Sequence, residues 1–145
     1  MTISSESQGK VLRAVLDANI YIAAFLKPGL ADQILERASR NELMIIVSSN
    51  ILEEAKTKLT KKFHFPIREV DSFVSEIKLI ATIVTPKKHL QIVKDDPADN
   101  KVLEAAIEGN ADLIVTMDKH LLKLKKIQNI PIMHLRTLTW LLPKN

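Results

Sequence analysis

The sequence predicts an α/β fold with a mostly parallel sheet, and two observations support this prediction. Short runs rich in β-branched residues alternate along the chain with longer segments of helical period, as in repeated β–α units. Residues 43–47 (LMIIV) are apolar throughout, which is typical of a parallel strand covered by helices on both faces. The sheet is therefore expected to be buried between helices.

The predicted strands are short apolar runs with turn or loop residues on each side. In chain order they cover residues 11–16, 43–47, 82–84, 113–115 and 131–133. These runs predict a sheet of four or five strands.

Helices are predicted where apolar residues recur at spacings of three and four, and residues 68–80 give the clearest pattern. That segment repeats Val70, Phe73, Val74 and Ile77 on one face. The predicted helices cover residues 20–26, 31–40, 50–61, 68–80, 99–108, 121–124 and 137–142, and residues 86–97 are predicted to form a charged loop.

Four residues are expected to mark helix ends or core positions. Asn50 is predicted to cap the helix after the second strand, with Glu53 completing a capping box. Gly109 is predicted to close the helix that begins near residue 99. Trp140, in the last helix, is predicted to lie in the core.

Length and charge bound the domain organisation and the partners. A chain of 145 residues is long enough for one domain that buries roughly two-thirds of its extended surface. Residues 1–10 are polar and are predicted to be a disordered lead-in, with residues 11–145 as a single domain. Lys and Arg outnumber Asp and Glu by 21 to 17, and this mild excess is compatible with a nucleic-acid partner.

Composition also excludes several classes of site. The chain has no cysteine, so disulfides, zinc–thiolate sites and thiol nucleophiles are excluded, which fits a reducing cytoplasm. No apolar run approaches the ~18 residues needed to span a bilayer. The polar N-terminus lacks the apolar stretch of a signal peptide. We therefore expect a cytoplasmic protein without a membrane association.

Four acidic residues stand where a cation could gather them: Asp17, Glu54, Asp99 and Asp118. Asp17 follows the first predicted strand and Asp118 the fourth, while Glu54 and Asp99 lie near the starts of helices. Because the carboxyl ends of parallel strands meet at one edge, these side chains are expected to converge there. Oxygen ligands suit Mg²⁺ or Mn²⁺, and two such cations about 3.5–4 Å apart can drive phosphodiester cleavage.

The four acids have polar neighbours that could support a metal site, and each acid could instead have an ordinary structural role. Asn19, Ser48 and Thr116 are expected to hydrogen-bond to the metal-binding carboxylates or to water, and so to orient them. An Asp after a strand is also a common helix cap, and Glu53 and Glu54 have lysines four or fewer positions away for surface pairing. Those pairs would join Glu53 to Lys56 and Glu54 to Lys58. The joint placement of the four acids is what favours a metal site.

Two basic clusters offer contacts for a polyanion. The cluster directly after Asp118 is the better candidate for holding RNA phosphates. It comprises Lys119, Lys123, Lys125 and Lys126. His64 and His120 are expected to have surface or packing roles. One Trp and one Tyr leave little scope for base stacking.

The sequence resembles the PIN-domain family, in the branch of toxin–antitoxin toxins, over residues 11–142. The motifs that carry the resemblance are VLDANIYIAAFL, SSNILEEAKTKL, VKDDPADNKVLEAA and ADLIVTMDKHLL, in that order. The resemblance implies a three-layer α/β/α sandwich and a Mg²⁺- or Mn²⁺-dependent ribonuclease site. Its acidic set falls on Asp17, Glu54, Asp99 and Asp118, with Asp96 as an accessory group. It also implies RNA as substrate, an antitoxin protein as partner, and self-association into a homo-oligomer.

Two alternatives to a ribonuclease remain open. A haloacid-dehalogenase-like phosphatase would use Asp17 as nucleophile and Ser48 as phosphate binder. That reading expects an acid where Asn19 stands, and it leaves Glu54 unexplained. A non-catalytic RNA- or protein-binding module on the same fold would gain nothing from crowding carboxylates together. With three glycines and no Gly-rich phosphate loop, a nucleotide-binding enzyme has the least support.

Overall fold

A central sheet carries helices on both of its faces, as the apolar strands predict. The computed structural model describes residues 11–87 and 97–144, with side chains described for residues 11–87 and 100–144. The predicted lead-in at residues 1–10 and most of the predicted loop at residues 86–97 lie outside the described residues. No helix in the described part of the chain is long and apolar enough to cross a membrane.

The predicted elements are present, with boundaries that differ by one or two residues. The strands are β1 (Arg13–Leu16), β2 (Met44–Ser48), β3 (Ala81–Val84), β4 (Leu113–Thr116), β5 (Lys126–Ile127) and β6 (Ile130–His134). The helices are α1 (Ala18–Leu26), α2 (Leu30–Ser39), α3 (Ser49–Thr57), α4 (Ile67–Ile80), α5 (Pro97–Glu108), α6 (Lys119–Leu122) and α7 (Leu135–Leu141). A π-helical segment, Lys58–Lys62, continues α3.

The strand order is β3-β2-β1-β4-β6-β5. Every pair from β3 to β6 is parallel, and only the β5–β6 pair is antiparallel. The chain moves outward from β1 through β2 to β3, then crosses to the other side of β1 and continues from β4. The winding direction therefore switches between β1 and β4, and the crevice beyond their carboxyl ends is where such folds bind ligands.

The sheet has six strands, so the prediction of four or five was too low. The additional strand is β5, which forms a hairpin with β6 through Gln128 and Asn129. Both turn residues have positive φ, at 47° and 70°, as a two-residue type I′ turn requires. A two-residue strand offers no periodicity to detect, so the turn dipeptide was the sole signal in the sequence.

The buried core explains which apolar runs form inner strands. All four residues of β4 are buried, and so are the last residues of β1 and β2, because helices cover both faces of these strands. The edge strand β3 is half exposed, with Ile83 44% accessible. Trp140 is 71% exposed, so its predicted place in the core was wrong. Helix α7 begins at Leu135 and buries Leu135 and Leu138, which turns Trp140 toward solvent.

Two predicted helix ends also differ in their physical basis. Ser48, and not Asn50, caps α3, because its hydroxyl follows β2 directly and accepts the Ile51 N–H at 3.2 Å. At the end of α5, Asn110 takes the left-handed conformation with φ 50°. Gly109 serves a different purpose, because a Cβ there would lie 2.6 Å from Ile46 Cγ2. Its missing side chain lets α5 approach β2 closely.

Gly109→Ala is expected to destabilise the fold by about 1–3 kcal/mol, because the added methyl overlaps the branched side chain of Ile46. Chemical denaturation measures the free energy of unfolding. Gly29→Ala is the matched control, since no atom lies within 4 Å of a Cβ at Gly29. That control should stay within about 0.5 kcal/mol of the wild type. Equal stability of the two variants would contradict the close approach of α5 to β2.

Candidate metal centre

Asp17 stands at the switch point, between the end of β1 and the start of α1. It caps α1, with Oδ1 accepting the Ile20 N–H at 3.2 Å. The Thr116 hydroxyl donates to Oδ2, and the Asp17 backbone N–H donates to the Val115 carbonyl at 3.2 Å. The residue is only 6% exposed. Local capping and strand pairing thus hold this carboxylate in a nearly dry position between β1 and β4.

The surroundings of Asp17 oppose its negative charge. Burial is the largest cause and raises the pKa of this carboxyl above its ordinary value of 3.8. Hydrogen bonds from Thr116 and from the Ile20 backbone lower the pKa and offset part of that rise. The negative charges of Asp118 and Glu54 raise the pKa further. Asp17 is therefore close enough to Asp118 and to Glu54 to be repelled by both charges.

Thr116 links the two acids that follow neighbouring strands. It is the last residue of β4 and is fully buried. Its hydroxyl donates to Asp17 and accepts the Asp118 backbone N–H at 2.9 Å. Asp118 in turn caps α6, with Oδ1 accepting the His120 N–H at 2.9 Å. The expectation that Thr116 orients a carboxylate matches this hydrogen bond.

Glu54 reaches the same crevice from α3. Its side chain is 17% exposed and pairs with Lys58 Nζ at 3.4 Å, one turn further along the helix. Its effect on the pKa of Asp17 indicates that it faces that residue. The expected Glu53–Lys56 pair was wrong, since Lys56 pairs with Asp71 of α4 at 2.9 Å. Glu53 acts on Lys56 through its charge alone, a smaller effect on the pKa of Lys56 than the hydrogen bond from Lys56 to Asp71.

The fourth predicted acid is described by its backbone alone. Helix α5 begins at Pro97, so Asp99 lies in its first turn, and its side chain is outside the described residues. The chain after α5 reaches the amino end of the sheet, where the Asp112 N–H donates to the Arg13 carbonyl at 2.8 Å. The first turn of α5 therefore lies toward the opposite, carboxyl end. Asp96 is outside the described residues.

The other predicted polar neighbours occupy different environments. Ser48 is buried, and its hydroxyl oxygen accepts the Ile51 N–H as the cap of α3. Asn19 is exposed, and within the described residues its amide makes no hydrogen bond to a carboxylate. Among the described side chains, Thr116 is the one of the three predicted supporting residues that makes a hydrogen bond to an acid.

Sequence reasoning missed several polar groups near this edge of the sheet. Asn100 and Glu104 lie one turn apart on α5, and each is only 7% exposed. Their spacing of four in an otherwise apolar helix face was the signal that could have found them. Tyr21 of α1 is fully buried. His134 ends β6 beside Thr116, and its Nδ1 accepts the Arg136 N–H at 3.1 Å.

The donor chemistry at this edge fits a hard divalent cation. Among the described side chains, no group of three Asp, Glu, His or Cys residues is already arranged to hold a metal ion. Asp118 and Glu54 nevertheless both repel Asp17, and Lys58 is the single cation paired with any of the three within the described residues. A bound cation would relieve the repulsion that raises the pKa of Asp17.

The predicted RNA-binding lysines divide into two places. All four are exposed. Lys119 is the first residue of α6, directly after Asp118, and Lys123 follows that helix. Lys126 lies in β5 and pairs with Pro131, near the start of β6 and toward the amino end of the sheet. Lys119 and Lys123 are thus the pair beside the acids.

Asp17→Asn is expected to raise the melting temperature at pH 7 in EDTA. Folding takes up a proton between the ordinary pKa of 3.8 and the raised pKa of Asp17, so wild-type stability falls as pH rises through that window. The advantage of the variant should therefore shrink as pH is lowered toward about 4. Asp32→Asn, at an exposed position of α2, is the control. A variant that melts below the wild type at pH 7 would show that the hydrogen bonds of Asp17 outweigh its burial.

Comparisons with known proteins agree with this architecture. The family model described as PIN domain matches residues 13–120. The structure of PAE2754 from Pyrobaculum aerophilum superposes with a TM-score of 0.60 at 16% identity, covering 89% of this chain and 95% of that one. VapBC2 from Rickettsia felis, bound to a DNA fragment from their promoter, gives a TM-score of 0.63 at 19% identity, covering 85% and 98%. No curated protein matches the sequence. Since the family model covers well over half of its length, the chain belongs to the PIN-domain family, whose members are generally nucleases.

Proposed function

We propose that the chain is a metal-dependent endoribonuclease that hydrolyses RNA phosphodiester bonds as the toxin of a toxin–antitoxin pair. The observation that carries the proposal is the Thr116 hydroxyl, which binds Asp17 and the Asp118 backbone at the topological switch point. Glu54 faces the same crevice. Membership of a family of nucleases supports the reaction class.

In this proposal Asp17, Glu54, Asp99 and Asp118 hold Mg²⁺ or Mn²⁺. Ile20 and Thr116 each occupy one lone pair of a different oxygen of Asp17, which leaves acceptor capacity on both oxygens for a cation. Such a cation, when bound, activates water and stabilises the leaving oxygen of a phosphodiester. The buried hydroxyl of Thr116 keeps the carboxylate of Asp17 in one orientation while the cation exchanges.

The basic surface beside Asp118 suits the RNA backbone. Lys119 and Lys123 are exposed and lie on or next to α6, whose cap is Asp118 itself. Their ammonium groups can neutralise phosphates on either side of the scissile bond. Stacking residues are scarce, so we propose that phosphate contacts supply most of the affinity for a single-stranded or loop RNA.

The phosphatase alternative has weaker support. That reaction expects an acid two residues after its nucleophile, whereas Asn19 stands two residues after Asp17. Ser48, the residue expected to bind phosphate, is buried, and its hydroxyl oxygen accepts the Ile51 N–H as the α3 cap. A purely binding module gains nothing from the repulsion among three acids, so the nuclease accounts best for the site.

Protein partners belong to the same proposal. The similar protein from Rickettsia felis is a VapBC2 assembly, and we extend to this chain an antitoxin protein as its partner. Self-association is also proposed, because large apolar side chains remain accessible on the surface. Ile67 is 60% exposed and Leu79 is 86% exposed, both on α4.

Cleavage of single-stranded RNA is expected to require Mn²⁺ or Mg²⁺ and to cease in EDTA. Asp17→Asn, Asp99→Asn and Asp118→Asn should each slow cleavage about 100-fold or more, because they remove charge that holds the cation at nearly constant side-chain size. Gel analysis of purified variants on labelled RNA measures the rates. Asp32→Asn is the control and should cleave at the wild-type rate. Undiminished cleavage by Asp17→Asn at equal purity would overturn the assignment.

Lys119→Ala combined with Lys123→Ala is expected to weaken RNA binding several-fold and to reduce the slope of log affinity against log salt by about 1–2, since two phosphate contacts are lost. Fluorescence anisotropy at several salt concentrations, in the inactive Asp17→Asn background, gives both quantities. Lys126→Ala is the matched control, because Lys126 lies toward the other end of the sheet. An equal effect of the control variant would contradict RNA binding beside Asp118.

A further inference from the structure

Tyr21 carries a polar atom that the fold leaves without a partner. It is the one tyrosine of the chain and lies in α1, one turn after Asp17. Its side chain is 0% exposed. The phenol oxygen is the single buried side-chain nitrogen or oxygen in the described part of the chain that makes no hydrogen bond. This orphaned hydroxyl requires a physical explanation.

The Tyr21 hydroxyl lowers the stability of the fold and adds nothing to its packing. A buried hydroxyl without a partner costs about 1–3 kcal/mol, and buried tyrosines usually find one. Phenylalanine would fill nearly the same volume without that cost. The metal-free fold would thus be at least as stable without this oxygen, so packing alone does not account for it.

Tyr21 lies in the part of α1 that follows Asp17 by one turn. Helical side chains lean toward the N-terminus, so a residue four positions after Asp17 lies over the turn that Asp17 caps. Burial, and after it the negative charge of Asp17, raise the pKa of the Tyr21 hydroxyl. The group is therefore a protonated donor that senses the charge of Asp17 without bonding to it.

We propose that Tyr21 is a positioning residue whose hydroxyl donates to the Asp17 carboxylate in the cation-loaded protein. This inference rests on the proposed metal site. Both oxygens of Asp17 retain acceptor capacity beyond the bonds from Ile20 and Thr116. If the orphaned donor gains its partner only in the loaded state, it stabilises that state relative to the metal-free one. The hydroxyl then strengthens cation binding at the expense of metal-free stability.

Tyr21→Phe tests the proposal, because it keeps the ring and removes only the hydroxyl. Melting curves in EDTA report the metal-free fold, and isothermal titration with Mn²⁺ reports cation binding without any reaction. The variant is expected to melt at or above the wild-type temperature in EDTA. Its dissociation constant for Mn²⁺ should rise about three- to tenfold, the value of one hydrogen bond. Ile22→Val, a buried change on the same helix, is the control and should leave Mn²⁺ binding unchanged.

The outcomes separate this inference from the proposed function. Wild-type Mn²⁺ affinity in Tyr21→Phe overturns the role of Tyr21 alone, whatever the melting temperature. If Tyr21→Phe melts below the wild type in EDTA and Ile22→Val loses the same Mn²⁺ affinity, the hydroxyl and ring of Tyr21 contribute only to packing. That outcome also overturns the proposed role of Tyr21. Absence of Mn²⁺ binding in the wild type overturns the metal site and the role of Tyr21 together. A weaker Mn²⁺ affinity in Tyr21→Phe, with wild-type affinity in Ile22→Val, supports the proposed role of Tyr21.

Discussion

The hydrogen bond from the Thr116 hydroxyl to Asp17 is the contact on which the candidate centre depends. It crosses from β4 to the end of β1, the two neighbouring strands between which the winding direction reverses. The same hydroxyl accepts the Asp118 N–H, so one buried side chain sets the relative positions of both loops. Because the donor and acceptor are shielded from water, this short network is electrostatically stronger than it would be at the surface.

The centre is built at the expense of metal-free stability. Asp17 is nearly dry, and burial raises its pKa because it disfavours the ionised carboxylate. Tyr21, one turn away, buries a hydroxyl without a partner. Both costs fall on α1, whose remaining inward residues are small or aliphatic. A core designed for stability alone would avoid each of them, and their coincidence beside two further acids is typical of functional sites.

The sequence predicted the parts of the fold that a period or a strand end specifies. The β–α alternation and the acids after β1 and β4 were visible because parallel strands must share an edge. The strand β5 was not visible, since two residues carry no period. Trp140 was misplaced because Leu135, Leu138 and Leu142 supply the buried face of the last turns, and Trp140 lies off that face. The Ser48 cap depends on where β2 ends and α3 begins, a boundary that the apolar run fixes only to within a residue or two. The burial of Asn100 and Glu104 left a single sequence signal, their spacing of four on α5.

The position of Asp99 depends on packing at the far end of its helix. Helix α5 has 12 residues and is roughly 18 Å long, and it packs on β1, β2 and β4. Directly after this helix, the missing side chain of Gly109 lets the chain approach Ile46 of β2. A helix moves nearly as a rigid body, so any shift at Gly109 is carried to the first turn, where Asp99 lies. Since a displacement of about 1 Å can cost 100-fold in the rate of a catalysed reaction, the close approach of α5 to β2 matters for the proposed metal-binding role of Asp99.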